Sequence, residues 1–242
     1  EQAGDVIGSG ICLFGVLAAV LTVLMILGAG FLAGLMHAPD EAFSQTVDYI
    51  RICSAGAVFI IAYNVLGSIF RGIGDSRMPL FTVAAACVFN IGGDLLLVAG
   101  FHMGAAGAAL ATVAAQAASV LLSLAVIRRR TLPFTIGKKN LRFERRLVGR
   151  ILALGTPIAL QDLLVSISFL VILAIVNSMG VIASAGVGVA EKLCAFIMLV
   201  ASAYMQSMSA FVAQNMGAGK PERAKRALLY GIGTSLMAGV TL

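Results

Sequence analysis

The chain has 242 residues, of which 60% are hydrophobic and 12% charged, with a formal net charge of +6 and a mean hydropathy of +1.01. A soluble domain carries about 45–50% apolar and about 25% charged residues, so these few charges cannot cover the core that a chain of this length would build. The composition excludes a water-soluble globular domain and points to an all-α, polytopic transmembrane bundle.

A membrane span needs about 20 predominantly apolar residues at 1.5 Å each. Six segments reach that length: 11–35, 47–70, 78–99, 104–127, 150–176 and 189–213. A seventh opens near Ala227 and runs to Leu242. The expectation is therefore about six complete spans plus part of a seventh. The apolar runs are too long, and alternate too little, for barrel strands. The chain opens on polar residues without an initiator Met and closes inside an apolar run, which reads as an internal portion of a longer polypeptide. The remainder of that polypeptide would be its first partner.

Charge orients the spans. Of the 17 Lys and Arg residues, 15 fall on the links after the second, fourth and sixth spans. Only Arg51 and Lys192 lie elsewhere. Positive charge collects on cytoplasmic links, so these three links face the cytoplasm, and anionic lipid headgroups are their expected partner. An impermeant reagent applied to intact cells should therefore fail to label a cysteine placed at Lys138. A nucleic-acid partner is not expected, because no aromatic residues interleave a basic stripe. The longest link, 128–149, carries eight of these cations, with a ninth at Arg150, and divides the chain into an N-terminal lobe portion, 1–127, and a C-terminal lobe portion, 150–242. A faint repeat supports two lobes. Glu1, Ala3 and Gly10 recur as Glu222, Ala224 and Gly231 at an offset of 221 residues, and an offset of six spans implies parallel pseudo-symmetry.

Several motifs carry no chemistry. Gly217-Ala-Gly-Lys220 resembles part of a phosphate loop, but Gln214 stands where the first glycine belongs and Pro221 where Ser or Thr belongs. It reads instead as a helix stop at Gly217 and Gly219 and a new start at Pro221, so no nucleotide is expected. Cys12, Cys53, Cys87 and Cys194 are dispersed through apolar runs and read as small buried hydrophobes rather than metal ligands. No cofactor or metal is expected. The Gly and Ala residues of 104–115 let neighbouring backbones approach in lipid. His37 and His102 fall on outer links and read as solvated side chains, while Glu191 and Lys192 read as interfacial at the outer start of the sixth span.

Asp94 is different. It stands among Gly92, Gly93 and Leu95, inside a span, with no cation near it in sequence. A carboxylate at such depth costs about 2.5–3.5 kcal/mol on insertion scales, so intramembrane acids are usually functional or paired. Asn90 lies one helical turn away on the same face, and the tight return at Gly100 brings Thr112 to similar depth. A carboxylate, an amide and a hydroxyl form an oxygen set that suits a hard monovalent cation or an exchangeable proton. The alternative is a polar knot that only locks the third and fourth spans. Asp162 and Gln161 lie near the cytoplasmic end of the fifth span.

Tyr63 to Pro79 with Arg71-Gly-Ile-Gly-Asp75, Asn90 with Asp94, Phe101 to Thr112, Gly155-Thr-Pro157 with Gln161, and Gln214 to Ala224 together resemble the multidrug and toxic-compound extrusion (MATE) family. Gln161, Asn177 and Gly180 resemble its bacterial DNA-damage-inducible branch. The resemblance implies a twelve-helix, two-lobe transporter of the cell membrane, not an enzyme, of which this chain would supply helices three to eight and part of nine. It implies export of small organic, often cationic, compounds in exchange for protons or sodium ions, with Asp94, Asn90 and Thr112 as the cation site. Tyr63, Asn64, Gln116 and Gln161 would be cavity-lining candidates. A glutamate that some members carry eight residues after the proline falls at Val165 here, which argues against a second sodium site. The alternatives are a lipid-linked precursor flippase of the same superfamily, which would need a cationic groove, and a non-transporting membrane assembly subunit, which would have no reason to carry Asp94.

Overall fold

The computed structural model describes residues 2–35, 40–129 and 140–241. His37, Arg130, Lys138 and Lys139 lie outside them. The described residues form eight α-helices: α1 Gln2–Leu35, α2 Asp40–Ala55, α3 Ala57–Gly72, α4 Arg77–Asp94, α5 Gly104–Arg129, α6 Arg145–Ser178, α7 Val181–Gly217 and α8 Pro221–Thr241. A π-helical segment, Leu95–Gly100, continues α4. No strand occurs among the described residues. Five helices are long and apolar enough to cross a membrane, and the pair α2–α3 makes a sixth span if it is counted as one. In lipid every backbone N–H and C=O must be satisfied within the segment, and helices of this length do so.

The structure corrects several boundaries. The segment 47–70 is not one straight helix: α2 begins at Asp40, and the chain bends by 50° into α3. Gly56 occupies the break, and any Cβ there would collide with the side chain of Val113 on α5. The missing side chain thus lets the bend pack directly against α5. The polar stretch 128–149 is helical at both ends, because Arg128 and Arg129 end α5 and Arg145 and Arg146 open α6, which also holds Arg150. Since α7 begins at Val181, Glu191 and Lys192 stand about ten residues inside it rather than at its start.

The chain divides into two compact units, Glu1–Val148 and Gly149–Leu242. In the first, α4 packs along α5, α1 lies on α2 and α3, and α2 and α3 also reach α5. Ala29 and Ala33 of α1 enclose Val47 of α2, with Ile50 beside them. The residues entering α6 are held on α1. Asn140 Nδ2 donates to Asp5 Oδ1 at 2.8 Å, Ser9 Oγ donates to the Arg142 carbonyl at 3.0 Å, and Gly8 faces the Asn140 carbonyl with no room for a side chain.

In the second unit α7 packs on α8. Gly231 is buried there, with the Met208 thioether where a side chain would stand. Pro157 lies inside α6 and removes one helical N–H, which leaves the Ala153 carbonyl without that donor.

The turns after α3 and after α7 close alike. After α3, the Ile73, Gly74 and Asp75 N–H groups bond to the Ile69, Arg71 and Phe70 carbonyls. After α7, those of Ala218, Gly219 and Lys220 bond to the Gln214, Met216 and Asn215 carbonyls. Gly74 (φ 86°) and Gly219 (φ 68°) supply the left-handed residue each turn requires. Pro221 then opens α8, where its absent N–H costs nothing.

Candidate functional site

The α4–α5 contact is built from small residues. A Cβ on Gly93 would stand 2.9 Å from the Ala111 Cβ, and one on Gly107 would stand 3.2 Å from the Leu97 carbonyl carbon. Both distances lie inside ordinary contact, so only glycine admits this approach, as in close helix crossings generally. Close backbones let short polar side chains reach across. Asn90 Nδ2 donates to Thr112 Oγ1 at 3.3 Å. Thr112 Oγ1 in turn donates to the Ala108 carbonyl at 3.0 Å. About two turns nearer the α4 start, the buried Ser119 hydroxyl donates to the Thr82 carbonyl at 3.1 Å.

Asp94 stands one turn beyond Asn90, as the last residue of α4 before the π segment. Its Oδ1 is buried and accepts no hydrogen bond. Leaving a carboxylate oxygen unpaired in a dry place is expensive, and such a group is what an incoming proton or cation would satisfy. Asp94 is the only acidic residue between Arg77 and Arg129, so a single positive charge bound there offsets all the negative charge these two helices carry. The π segment matters to the geometry. The Phe101 N–H reaches back five residues to the Leu96 carbonyl at 3.0 Å, and this wider turn starts immediately after Asp94. Short π segments inside helices frequently mark functional positions.

Among the other expected positions, Gln116 on α5 is partly buried and its Oε1 is enclosed without a hydrogen bond. Tyr63 on α3 is partly buried. Asn64 is exposed and bonds to the Ile60 carbonyl at 2.8 Å. No hydrogen bond joins Tyr63 or Asn64 to Asp94 among the described residues. Gln161 and Asp162 are exposed on α6, in the other unit.

Sequence reasoning missed the π segment, which has no periodicity signature in six residues.

The family model MatE matches residues 1–96 and 157–242. The probable multidrug resistance protein YoeA of Bacillus subtilis is 28% identical over 249 residues, covering 100% of this chain and 54% of that protein. The probable multidrug resistance protein YpnP of the same organism is 32% identical over 78% of this chain and 42% of its own length. An FAD transporter of Shewanella oneidensis is 29% identical over 83% of this chain and 45% of its own length. Among solved structures, a MATE in complex with MaL6 superposes with a TM-score of 0.85 at 25% identity, covering 97% of this chain and 52% of that one. A MOP superfamily transporter from Pyrococcus furiosus gives a TM-score of 0.85 at 23% identity and shares the fold. The chain spans about half the length of the curated relatives it matches. With apolar helices long enough to cross a bilayer and a family match over most of its residues, this is a multi-pass cell-membrane protein that belongs to the MatE family.

Proposed function

We propose that the protein is a secondary active antiporter that exports small organic compounds in exchange for a proton or a sodium ion bound at Asp94. The observation that carries this reading is the junction of α4 and α5. Asn90 and Thr112 are already bonded across it at 3.3 Å, and one turn away Asp94 presents a buried oxygen without a donor. Two states follow from that arrangement. When Asp94 is charged and empty, its oxygen favours any rearrangement that brings water or a donor to it. When a proton or sodium ion neutralises it, the tight α4–α5 packing is the lower-energy state. An ion that binds one of two arrangements better shifts the population toward it, by no more than its difference in affinity. The π segment beside Asp94 offers the backbone a local place to change pitch between them.

The cargo class rests on the relatives, whose names include multidrug resistance proteins and an FAD transporter. Organic molecules are what these names share. Arg145, Arg146 and Arg150 at the opening of α6 suit anionic lipid headgroups at the cytoplasmic surface.

The test is Asp94→Asn in the full-length protein, which keeps shape and removes the titrating charge. Ion-driven dye efflux from energised vesicles should fall to the level of empty vesicles while the amount of folded protein stays near wild type. Efflux at the wild-type rate would reduce Asp94, Asn90 and Thr112 to a polar lock between two helices.

A further inference from the structure

Two oxygens of the α4–α5 pair are enclosed without a hydrogen bond: Asp94 Oδ1 and Gln116 Oε1. The third such oxygen, Thr22 Oγ1, belongs to α1, which packs on α2 and α3 and not on α5 among the described residues. The order of side chains along α5 sets Gln116 in a definite place. Thr112 meets Asn90 of α4 one turn to its outer side. Ser119 meets the Thr82 carbonyl of α4 about one turn to its cytoplasmic side. At 100° per residue, Gln116 falls between the face carrying Thr112 and that carrying Val113, and Val113 fills the space beside Gly56 at the α2–α3 bend. Opposite Gln116 in the antiparallel register of the Asn90–Thr112 and Thr82–Ser119 pairs stands Ala86, a buried residue with no polar side chain to offer. The junction therefore alternates down its length: an unpaired carboxylate oxygen, a bonded pair, an unpaired amide oxygen, and a second bonded pair.

A glutamine that only filled space would be replaced at lower cost by methionine or leucine, since a buried amide oxygen without a donor is destabilising. We propose that Gln116 is a second oxygen station for the coupling cation, one turn nearer the cytoplasm than Thr112, which receives the ion after it leaves Asp94. This rests on the reading of Asp94 as the coupling site. The ligand chemistry is that of a hydrated monovalent cation. The amide oxygen either coordinates sodium directly or accepts a hydrogen bond from the hydronium or water that carries the proton. Gln116 acts on the ion's passage, and Asp94 neutralises its charge.

The experiment uses the full-length protein in proteoliposomes, with efflux measured against sodium concentration at fixed pH and against proton concentration without sodium. Gln116→Met keeps length and loses the oxygen, so the concentration of the coupling ion for half-maximal efflux should rise at least fivefold. Gln116→Glu adds charge to the same oxygen, so that concentration should fall at least threefold. The arm that responds identifies the ion. Opposite shifts from two substitutions of similar size are not the signature of altered packing. Half-maximal concentrations within twofold of wild type for both variants would overturn the proposal, as would shifts of the same sign. If Gln116→Met does not fold, the downward shift expected of Gln116→Glu decides alone. Asp94→Asn is run beside them. Wild-type coupling in that variant overturns the reading of the site itself, whereas lost coupling there with unshifted Gln116 variants overturns only the second station.

Discussion

α5 and α6 are both long apolar helices that composition alone places in a bilayer, yet they behave differently. α5 buries Gly107, Ala109, Ala111, Ala115, Ser119, Val120 and Ser123 against its neighbours. α6, from Gly149 to Ser178, has no buried residue among those described, and Leu154 is 74% and Leu170 65% exposed. The chain spans about half the length of its relatives, so the exposure of α6 belongs to this chain alone, and within it the two helices also differ in side-chain size. α5 is rich in Gly and Ala, and α6 in Leu, Ile and Val. In lipid a large aliphatic side chain gains nothing from a neighbour that it does not gain from acyl chains, whereas small residues let backbones and short polar groups touch. Hydropathy decides that a helix lies in the membrane, and small residues decide where it can carry a site. Asn90, Thr112 and Ser119 bond between helices, but Ser166 and Ser168 bond only to the carbonyls of Asp162 and Leu164 on their own helix.

The largest test of this contrast is Gly107→Leu. The new Cβ alone would meet the Met103 Cβ at 2.9 Å and the Leu97 backbone at 3.2 Å, and backbone cannot swing aside as a side-chain tip can. Overpacking of this kind costs about 1–3 kcal/mol. A lower Tm for the detergent-purified full-length protein is expected, together with weakened ion coupling, because Asn90 and Thr112 would separate. An unchanged Tm would mean that the helices of the intact protein stand further apart than this.

The span count, the Gly217–Pro221 stop and start, and the pairing of Asn90 with Thr112 were legible because each rests on local chemistry: run length, a left-handed glycine before a proline, and antiparallel register through a short turn. The α2–α3 bend was not legible. Gly56 reads as one small residue in an apolar run, and its role depends on Val113 fifty-seven positions away. The early start of α7 was missed for a different reason: Gly180, Gly186 and Gly188 punctuate the stretch as a link would, yet its backbone is helical from Val181. Burial separated the four expected cavity residues. Gln116 is enclosed because α5 is crowded, whereas Asn64 and Gln161 are exposed, and nothing in their local sequence distinguishes these environments.

A middle-sized effect is expected from Ser119→Ala. This hydroxyl is fully buried and bonds to the Thr82 carbonyl at 3.1 Å. Interhelical hydrogen bonds in membranes average about 0.6 kcal/mol and reach about 1.7 kcal/mol. A drop in unfolding free energy of that size, read by denaturant titration, would mark the α4–α5 junction as bonded along its length and not only at Asn90. No change would confine the polar junction to its outer half.

The smallest effect belongs to Gly155→Ala on α6. Nothing within 4 Å would meet the added Cβ, in contrast to the enclosed glycines of the α4–α5 junction. Within a helix, alanine is favoured over glycine by about 0.5–1 kcal/mol because glycine loses more backbone freedom on folding. Pro157 lies two residues on and already removes one helical N–H, so the stretch around Gly155 gains most from a residue that prefers the helix. The expected outcome in the full-length protein is an unchanged or slightly raised Tm with unchanged efflux. A loss of more than about 1 kcal/mol, on the scale of overpacked helix contacts, would show that another helix sits against Gly155 in the intact protein. α6 would then resemble α5 at that one position, and the contrast between the two helices would narrow to the residues beyond it.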